Sequence, residues 1–129
     1  WALPARFEPA PPGTQMMVDN AVGLTVPVNV AGTVYSAHGQ DSIRLIAFDG
    51  GPDELFLIFA DLTTDISTYS GGRYLYIPRG DADGNTVLDL NKAYNPPCVF
   101  TEYATCLLPP EENFIALEVN AGETLPDKH

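Results

Sequence analysis

Short runs in which apolar and polar residues alternate, broken by glycine and proline, fill most of this chain. Such alternation is typical of a strand with one buried face. It predicts strands at residues 2–7, 14–18, 24–30, 33–37, 42–48, 73–77, 86–90 and 114–119. Residues 54–60 instead form an unbroken apolar run, short enough to be a strand buried on both faces, and we take it as the central strand.

The turn signals between these runs decide the fold class. They recur about every 8–12 residues, and no stretch has the periodicity of an amphipathic helix. Gly39 marks the turn of one predicted hairpin, and residues 79–85 turn the strand at 73–77 back into the strand at 86–90. The sequence therefore predicts an all-β fold, a single antiparallel sandwich or partly open barrel of about seven or eight short strands with a long proline-rich loop.

The length of 129 residues fits a single β domain covering residues 1–129. Within it, the prolines of residues 1–13 predict an extended N-terminal arm, and residues 124–129 are expected to be a frayed tail. Pro27 restricts the strand at 24–30 to an edge or a bulge. Residues 91–113 are predicted to be largely irregular, and one helical turn near residues 90–94 is possible.

Acidic residues outnumber basic ones by 17 to 6, for a net charge of −11. This charge repels nucleic acid and anionic lipid, so neither is an expected partner. Solubility in a secreted, crowded or salt-adapted setting explains the acidity, and so does the binding of cations or basic partners. No apolar run reaches the roughly 18 residues that a membrane span needs.

The chain opens at Trp1, without an initiator methionine or a signal peptide, so we interpret it as a processed protein or a fragment. Processing would favour an extracellular or cell-envelope location, with the cytoplasm as the alternative. The two cysteines, Cys98 and Cys106, are then expected to pair as a disulfide; in the cytosol they are more simply buried thiols. A zinc site would need Cys or His ligands besides these two cysteines, and the only histidines are His38 and His129. We therefore expect no metal and no cofactor.

One group of polar and aromatic residues forms the candidate binding site. Arg73 and Asp89 would lie on adjacent strands of the second predicted hairpin, where opposite charges pair across the ladder. A guanidinium beside amides and phenols suits a carboxylate or phosphate ligand, although the same residues could simply tie the proline-rich loop to the sheet. The predicted binding residues are Tyr69, Arg73, Asp89, Asn91, Tyr94 and Asn95.

Other candidates have simpler structural interpretations. Asp81, Asp83 and Asn85 resemble oxygen ligands for Ca²⁺, but Asp-Gly and Gly-Asn are also favoured hairpin turns. His38 is most simply an exposed turn residue. Tyr74 and Tyr76 share one face of the sheet, as the rim of the core or as a stacking platform for sugar or peptide.

Several motifs of mixed composition give the chain a family resemblance. They are Thr68-Tyr-Ser-Gly-Gly-Arg-Tyr-Leu75, Asp89-Leu-Asn-Lys-Ala-Tyr-Asn-Pro-Pro-Cys98, Tyr103-Ala-Thr-Cys106, Pro109-Pro-Glu-Glu-Asn113 and Ala121-Gly-Glu123. From about Arg6 to Glu123 the chain resembles a prokaryotic family of uncharacterised proteins, the domain-of-unknown-function family sixteen eighty-four. The resemblance implies no established activity. It does imply longer N-termini and, for many members, export or lipid anchoring.

The chain departs from the family pattern at three positions. Leu90 stands where phenylalanine is common, Asp65 where glycine is common, and Leu107 where proline usually follows the second cysteine. These differences bear on the loop conformation more than on the fold.

The functional prediction is a non-catalytic ligand-binding or interaction module. A protein or a small anionic ligand is the expected partner, and an oligomer is possible. One alternative is a small hydrolase that uses Asp89 or Glu112 with Arg73 as electrostatic stabiliser. The other is a structural subunit whose segment 1–13 adds to a neighbour's sheet.

Overall fold

The computed structural model describes residues 1–97 and 106–125, and they form an all-β fold. Six strands make one antiparallel path in the order β6–β5–β4–β3–β1–β7, which curls into a nearly closed barrel. β2 pairs with β3, and β8 pairs with β5 in parallel. The predicted fold class is confirmed. The strands are β1 Ala2–Pro9, β2 Gln15–Asp19, β3 Thr25–His38, β4 Asp41–Asp49, β5 Glu54–Asp61, β6 Arg73–Pro78, β7 Asn85–Asp89 and β8 Phe114–Ile115.

The strand predicted to be central is β5, which is buried on both faces as expected but stands second from one end of the sheet path. Its neighbours are β4 on one side and β6 on the other, and its last two residues also pair with β8. Leu55, Leu57 and Phe59 face the barrel interior, while Phe56 and Ile58 face outward into a second apolar cluster. The continuous apolar run therefore reflects burial on both faces.

β3 is a single bent strand, although its sequence predicts two. Its first half pairs with β2 and its second half with β1, and a register shift between Val30 and Gly32 marks the bend. A Cβ at Gly32 would stand 2.1 Å from the carbonyl oxygen of Glu8, so the close approach of β1 needs glycine there. Pro27 lies before the first β4 pair, so it occupies the edge segment predicted for it.

The second predicted hairpin is wrong in its pairing. β6 and β7 have the expected positions, but β7 pairs with β1, with Ala2 opposite Asp89, and β6 pairs with β5, with Phe59 opposite Arg73. β6 and β7 are the two ends of the sheet path, and they meet only near their turn, where the hydroxyl of Thr86 donates to the carbonyl of Pro78 at 2.6 Å. Arg73 and Asp89 are therefore not cross-strand neighbours.

The extended arm expected at residues 1–13 is mostly strand β1. It lies between β3 and β7, so both of its hydrogen-bonding edges are occupied within the chain. This geometry does not support the hypothesis that the segment pairs with a neighbouring subunit. Within the segment expected to be a frayed tail, Leu125 N–H donates to the carbonyl of Ser67 at 3.0 Å and the side-chain amide of Asn95 donates to the carbonyl of Thr124. Residues 126–129 lie outside the described part.

Asn113 fills a gap where β4 and β5 separate. These strands pair only at Phe48–Phe56 and Asp49–Leu55. Beyond that point the fully buried side chain of Asn113 accepts from Ile46 N–H at 2.7 Å and donates to the carbonyls of Ile46 and Ile58 at 2.9 and 3.0 Å. One amide thus replaces missing ladder hydrogen bonds. The strand predicted at 114–119 is only Phe114–Ile115 for the same reason, since it pairs just where the sheet has opened.

Two short 3-10 helices accompany the strands in the described residues. One covers Leu90–Lys92, as the possible turn near 90–94 anticipated, and the other covers Glu111–Asn113. No helix within residues 1–97 and 106–125 has the length and apolar character needed to cross a bilayer.

Candidate functional site

Arg73 points into one end of the barrel and is 1% exposed. Its guanidinium donates to the carbonyls of Ala121, Val119 and Glu123 at 2.6, 3.0 and 3.3 Å, and to the Asp61 carboxylate at 3.4 Å. Its central carbon also lies 5.2 Å from the ring centre of Phe59. Four of the five N–H groups of the guanidinium thus donate to the protein itself.

Asp61, the ionic partner of Arg73, is held by a network at the end of β5. One carboxylate oxygen accepts from Val119 N–H at 2.7 Å, and the other accepts from the hydroxyls of Thr63 and Thr64. Burial lowers the pKa of Arg73, and the charge of Asp61 opposes that shift. The pair therefore anchors the segment 119–123 across the end of the barrel.

The predicted binding cluster is divided by the fold. Asp89 accepts from the backbone and side-chain N–H groups of Asn91 at 3.2 and 3.0 Å, which caps the 3-10 helix that follows β7. Asn95 donates its N–H to the carboxylate of Glu123 at 2.7 Å, and Glu123 also offers its carbonyl to Arg73. Arg73 and Asn95 thus meet through Glu123, whereas Asp89 and Asn91 belong to a separate cap.

The two glycines that precede Arg73 are each required by close packing, Gly71 against Tyr69 and Gly72 against Phe59. A Cβ at Gly71 would lie 2.5 Å from the Tyr69 ring, and one at Gly72 would lie 2.5 Å from the carbonyl of Phe59. Gly72 also has a φ of 80°, a conformation that side chains with a Cβ rarely adopt. The glycines let the tyrosine ring lie flat on the chain at the start of β6.

The outward face of β5 and β6 carries an aromatic cluster that we call the aromatic shelf, composed of Phe56, Tyr74, Tyr76 and Tyr94. Phe56 lies 4.9 Å from both Tyr74 and Tyr76, centre to centre. Tyr94 is fixed beside them because Tyr74 and Tyr94 exchange two backbone hydrogen bonds of 2.9 Å. The rings of Tyr76 and Tyr94 are parallel to within 9°, with centres 6.4 Å apart, and Tyr76 is 41% exposed.

Two tyrosines of the shelf, Tyr74 and Tyr94, have raised pKa values. Burial raises the pKa of Tyr94 to about 12, helped by the hydroxyl of Tyr76 and by the charge of Glu54. Burial also raises the pKa of Tyr74, although its hydroxyl donates to the carbonyl of Leu107 at 3.0 Å. Tyr69 contributes to the same shift of Tyr74, so it lies near the shelf. At neutral pH the phenols of Tyr74 and Tyr94 are therefore neutral.

Both the sequence and the fold of this chain are similar to those of known proteins. The profile described as "Protein of unknown function (DUF1684)" matches residues 1–124. The chain belongs to the DUF1684 family. The fold is also similar to the solution NMR structure of an uncharacterised protein of Haloarcula marismortui, with a TM-score of 0.75 and 32% sequence identity over 95% of this chain and 70% of that one. A search of curated proteins found no match.

The family motifs that the sequence singles out converge in this DUF1684 structure. The motif at 68–75 supplies Tyr74, and the motif at 89–98 supplies Tyr94, its partner on the shelf. Asn113, from the motif at 109–113, bridges β4 and β5 instead of entering a site. Gly122, from the motif at 121–123, has a φ of 76° and lies against Ala93, next to the acceptors of Arg73.

The carboxylates of the hydrolase hypothesis do not lie beside Arg73. Asp89 is occupied by its cap, Glu112 is exposed on the 3-10 helix at Glu111–Asn113, and neither contacts the guanidinium of Arg73. The loop at 81–85 is the predicted turn, since the Asp81 carboxylate accepts from the N–H groups of Asp83 and Asn85. In residues 1–97 and 106–125 no group of three His, Cys, Asp or Glu side chains could hold a metal ion.

The remaining predictions have mixed outcomes. His38 is exposed, as expected, but its ring stacks on Trp1 with centres 4.1 Å apart. Cys106 is buried, while Cys98 lies outside the described residues, so their pairing stays a prediction. Sequence reasoning missed Asp61 and Asn113. Asp61 directly follows the apolar run at residues 54–60 without any pattern that marks it, and the signal for Asn113 is its place in a family motif.

Proposed function

We propose that this domain is a non-catalytic binding module whose ligand lies on the aromatic shelf. The exposed Tyr76 ring, parallel to Tyr94, carries the proposal. Two backbone hydrogen bonds to Tyr74 hold Tyr94 in place, and the ring of Phe56 packs against the ring of Tyr76. Little conformational entropy is therefore lost when a flat ligand stacks on them.

The best chemical match is a neutral ring compound that carries hydroxyl groups, such as a pyranose unit of a carbohydrate. Aromatic faces attract C–H groups of such a ring, and protonated phenols both donate and accept hydrogen bonds. The raised pKa of Tyr94 keeps its phenol neutral, and Glu54 close by adds a carboxylate acceptor. A net charge of −11 disfavours anionic ligands.

The position of Arg73 supports this choice over the anionic ligand that its sequence context suggests. The guanidinium is buried and donates to four acceptors of its own chain, so it is not accessible to a carboxylate or phosphate in solution. Of the predicted binding residues, Tyr94 belongs to the shelf and Tyr69 lies beside it. Asp89, Asn91 and Asn95 serve the neighbouring caps and turns.

We place the module outside the cytoplasm, in the cell envelope or beyond it, where a Cys98–Cys106 disulfide would persist. Intact mass measured with and without reductant tests this pairing. A disulfide predicts a gain of two hydrogen atoms on reduction, together with a loss of about 2–3 kcal/mol of stability. Equal masses would remove this argument for export.

The binding proposal is tested with a panel of soluble neutral oligosaccharides, titrated against the protein by NMR and calorimetry. We expect at least one to shift the Tyr76 and Tyr94 resonances. Tyr76→Ala should lower the affinity for that oligosaccharide about three- to tenfold, which corresponds to the free energy of one aromatic contact. Tyr35→Ala, at a tyrosine that lies under Arg6 on a different strand, is the matched control. No binding at millimolar concentrations, or equal affinity for Tyr76→Ala, contradicts the proposal.

A further inference from the structure

A second surface, separate from the aromatic shelf, follows the free edge of β2. One edge of β2 pairs with β3 along its whole length. On the other edge the chain's own segment 106–108 pairs briefly: Ala21 N–H donates to Cys106 O and Leu108 N–H donates to Asp19 O, each at 2.8 Å. Within residues 1–97 and 106–125, this edge has no further ladder partner at Gln15 or Met17.

In an antiparallel ladder, the backbone N–H and C=O groups of alternate residues point to the same side of the strand, and this shows the direction of those at Gln15 and Met17. Because Asp19 and Ala21 direct their backbone groups toward segment 106–108, Gln15 and Met17 direct theirs to the same side. Asn20 lies opposite Leu107 in an antiparallel bridge. If this pairing continued, Val18 and Met17 would face Pro109 and Pro110, which have no N–H to donate. Among the residues that the structure describes, pairing therefore stops here and the edge of β2 is unpaired at Gln15 and Met17.

A groove of about 290 Å³ lies beside this edge. Its walls are residues 16–19 of β2 and residues 108–112. Exposed carboxylates of Asp19, Glu111 and Glu112 line it, and none of the lining residues is basic. Met17 is 60% exposed on the same strand, so apolar surface accompanies the acidic wall.

We infer that the β2 edge is a docking site for an extended segment of a partner protein that bears lysine or arginine. The segment adds as a strand, with its backbone hydrogen-bonding to Gln15 and Met17 where the chain's own segment 106–108 leaves off. Charge complementarity selects a basic partner, because the groove and the whole domain are acidic. Apolar side chains alternating with the basic ones contact the methionines.

A synthetic hexapeptide of alternating lysine and valine is the probe, titrated into the labelled full-length chain at low salt. We expect amide shifts centred on Gln15 and Met17, and slower hydrogen exchange at the Met17 amide. Affinity should fall as salt rises, because exposed charges are screened. A matching peptide of glutamate and valine should bind far more weakly.

Two protein variants and one modified peptide separate the contribution of the groove carboxylates from that of the backbone hydrogen bonds. Glu111→Gln with Glu112→Gln should lower the affinity roughly fivefold, since exposed ion pairs are each weak. Asp83→Asn, in the turn at residues 79–85 and outside the groove, should leave it unchanged. N-methylation of the peptide backbone should abolish binding by removing the ladder donors.

Several outcomes overturn the inference. They are no shift at Gln15 and Met17 with millimolar peptide, equal binding of the acidic peptide, and full binding of the N-methylated peptide. Concentration-dependent shifts at β2 without any peptide would assign the edge to a second copy of the chain. These results concern only the β2 edge. The oligosaccharide experiment tests the aromatic shelf independently, because no shelf residue lines the groove.

Discussion

Replacing Arg73 tests the central structural claim, that this arginine holds the end of the barrel together. Arg73→Met keeps most of the side-chain volume and removes the charge. It leaves the fully buried Asp61 carboxylate without its cation and strips a donor from three carbonyls of segment 119–123. Breaking a buried ion pair from one side typically costs about 3–5 kcal/mol.

A loss of that size is a large part of the 5–15 kcal/mol that stabilises most domains, so the effect should be plain. Urea unfolding followed by circular dichroism measures it. Hydrogen exchange should also quicken at Glu123 and Leu125, whose N–H groups bond to Ala93 and Ser67. Arg44→Met is the matched control, because Arg44 is exposed on β4 and its loss should change stability by less than about 0.5 kcal/mol.

The double variant Asp61→Asn with Arg73→Met distinguishes an ion pair from simple packing. Removing both charges should destabilise the protein less than the sum of the single variants, because no buried charge is left uncompensated. A loss below about 1 kcal/mol in Arg73→Met, or strict additivity in the double variant, would refute the argument. So would an Arg73→Met protein of normal stability that had lost ligand binding.

Three further predictions concern single residues. Because the pKa of Tyr94 rises from 10.0 to about 12 on folding, stability should be fully present below pH 10 and be lost as pH rises toward 12; Tyr94→Phe should flatten that slope in unfolding experiments at several pH values. Asn113→Ala should cost about 2–4 kcal/mol in urea unfolding by leaving buried backbone groups of β4 and β5 unpaired, whereas the exposed amide variant Gln40→Ala should cost almost nothing. Asp65 has a φ of 68°, so Asp65→Val should be less stable than Asp65→Gly by about 1–2 kcal/mol, and equal melting temperatures would contradict this.

The strands are predictable from the sequence because burial leaves a period of two in the apolar residues. Residues 42–48 show this most clearly, and the structure places Ile43, Leu45 and Ala47 in the barrel interior. Partner choice has no such signal. The pattern of strand β7 is compatible with β6 or β1 as its partner, and in the fold it pairs with β1.

The candidate site is predictable only in part, for a different reason. Tyr74 and Tyr76 were expected on one face from their spacing, but the arrival of Tyr94 beside them depends on a bridge between distant segments. The acceptors of Arg73 are mostly backbone carbonyls, which every residue carries and no side-chain pattern marks. The glycine common in the family at position 65 is explained afterwards, by the positive φ of Asp65.

The arrangement around Arg73 also constrains when the protein can complete its folding. The guanidinium meets its carbonyl acceptors 46 to 50 residues later in the chain. During synthesis, the strands from β1 to β7 emerge first and leave a cation facing an apolar interior with no acceptors except Asp61. Such long-range contacts form late and slowly. The guanidinium therefore gains its carbonyl acceptors only after residues 119–123 have left the ribosome and crossed the end of the barrel.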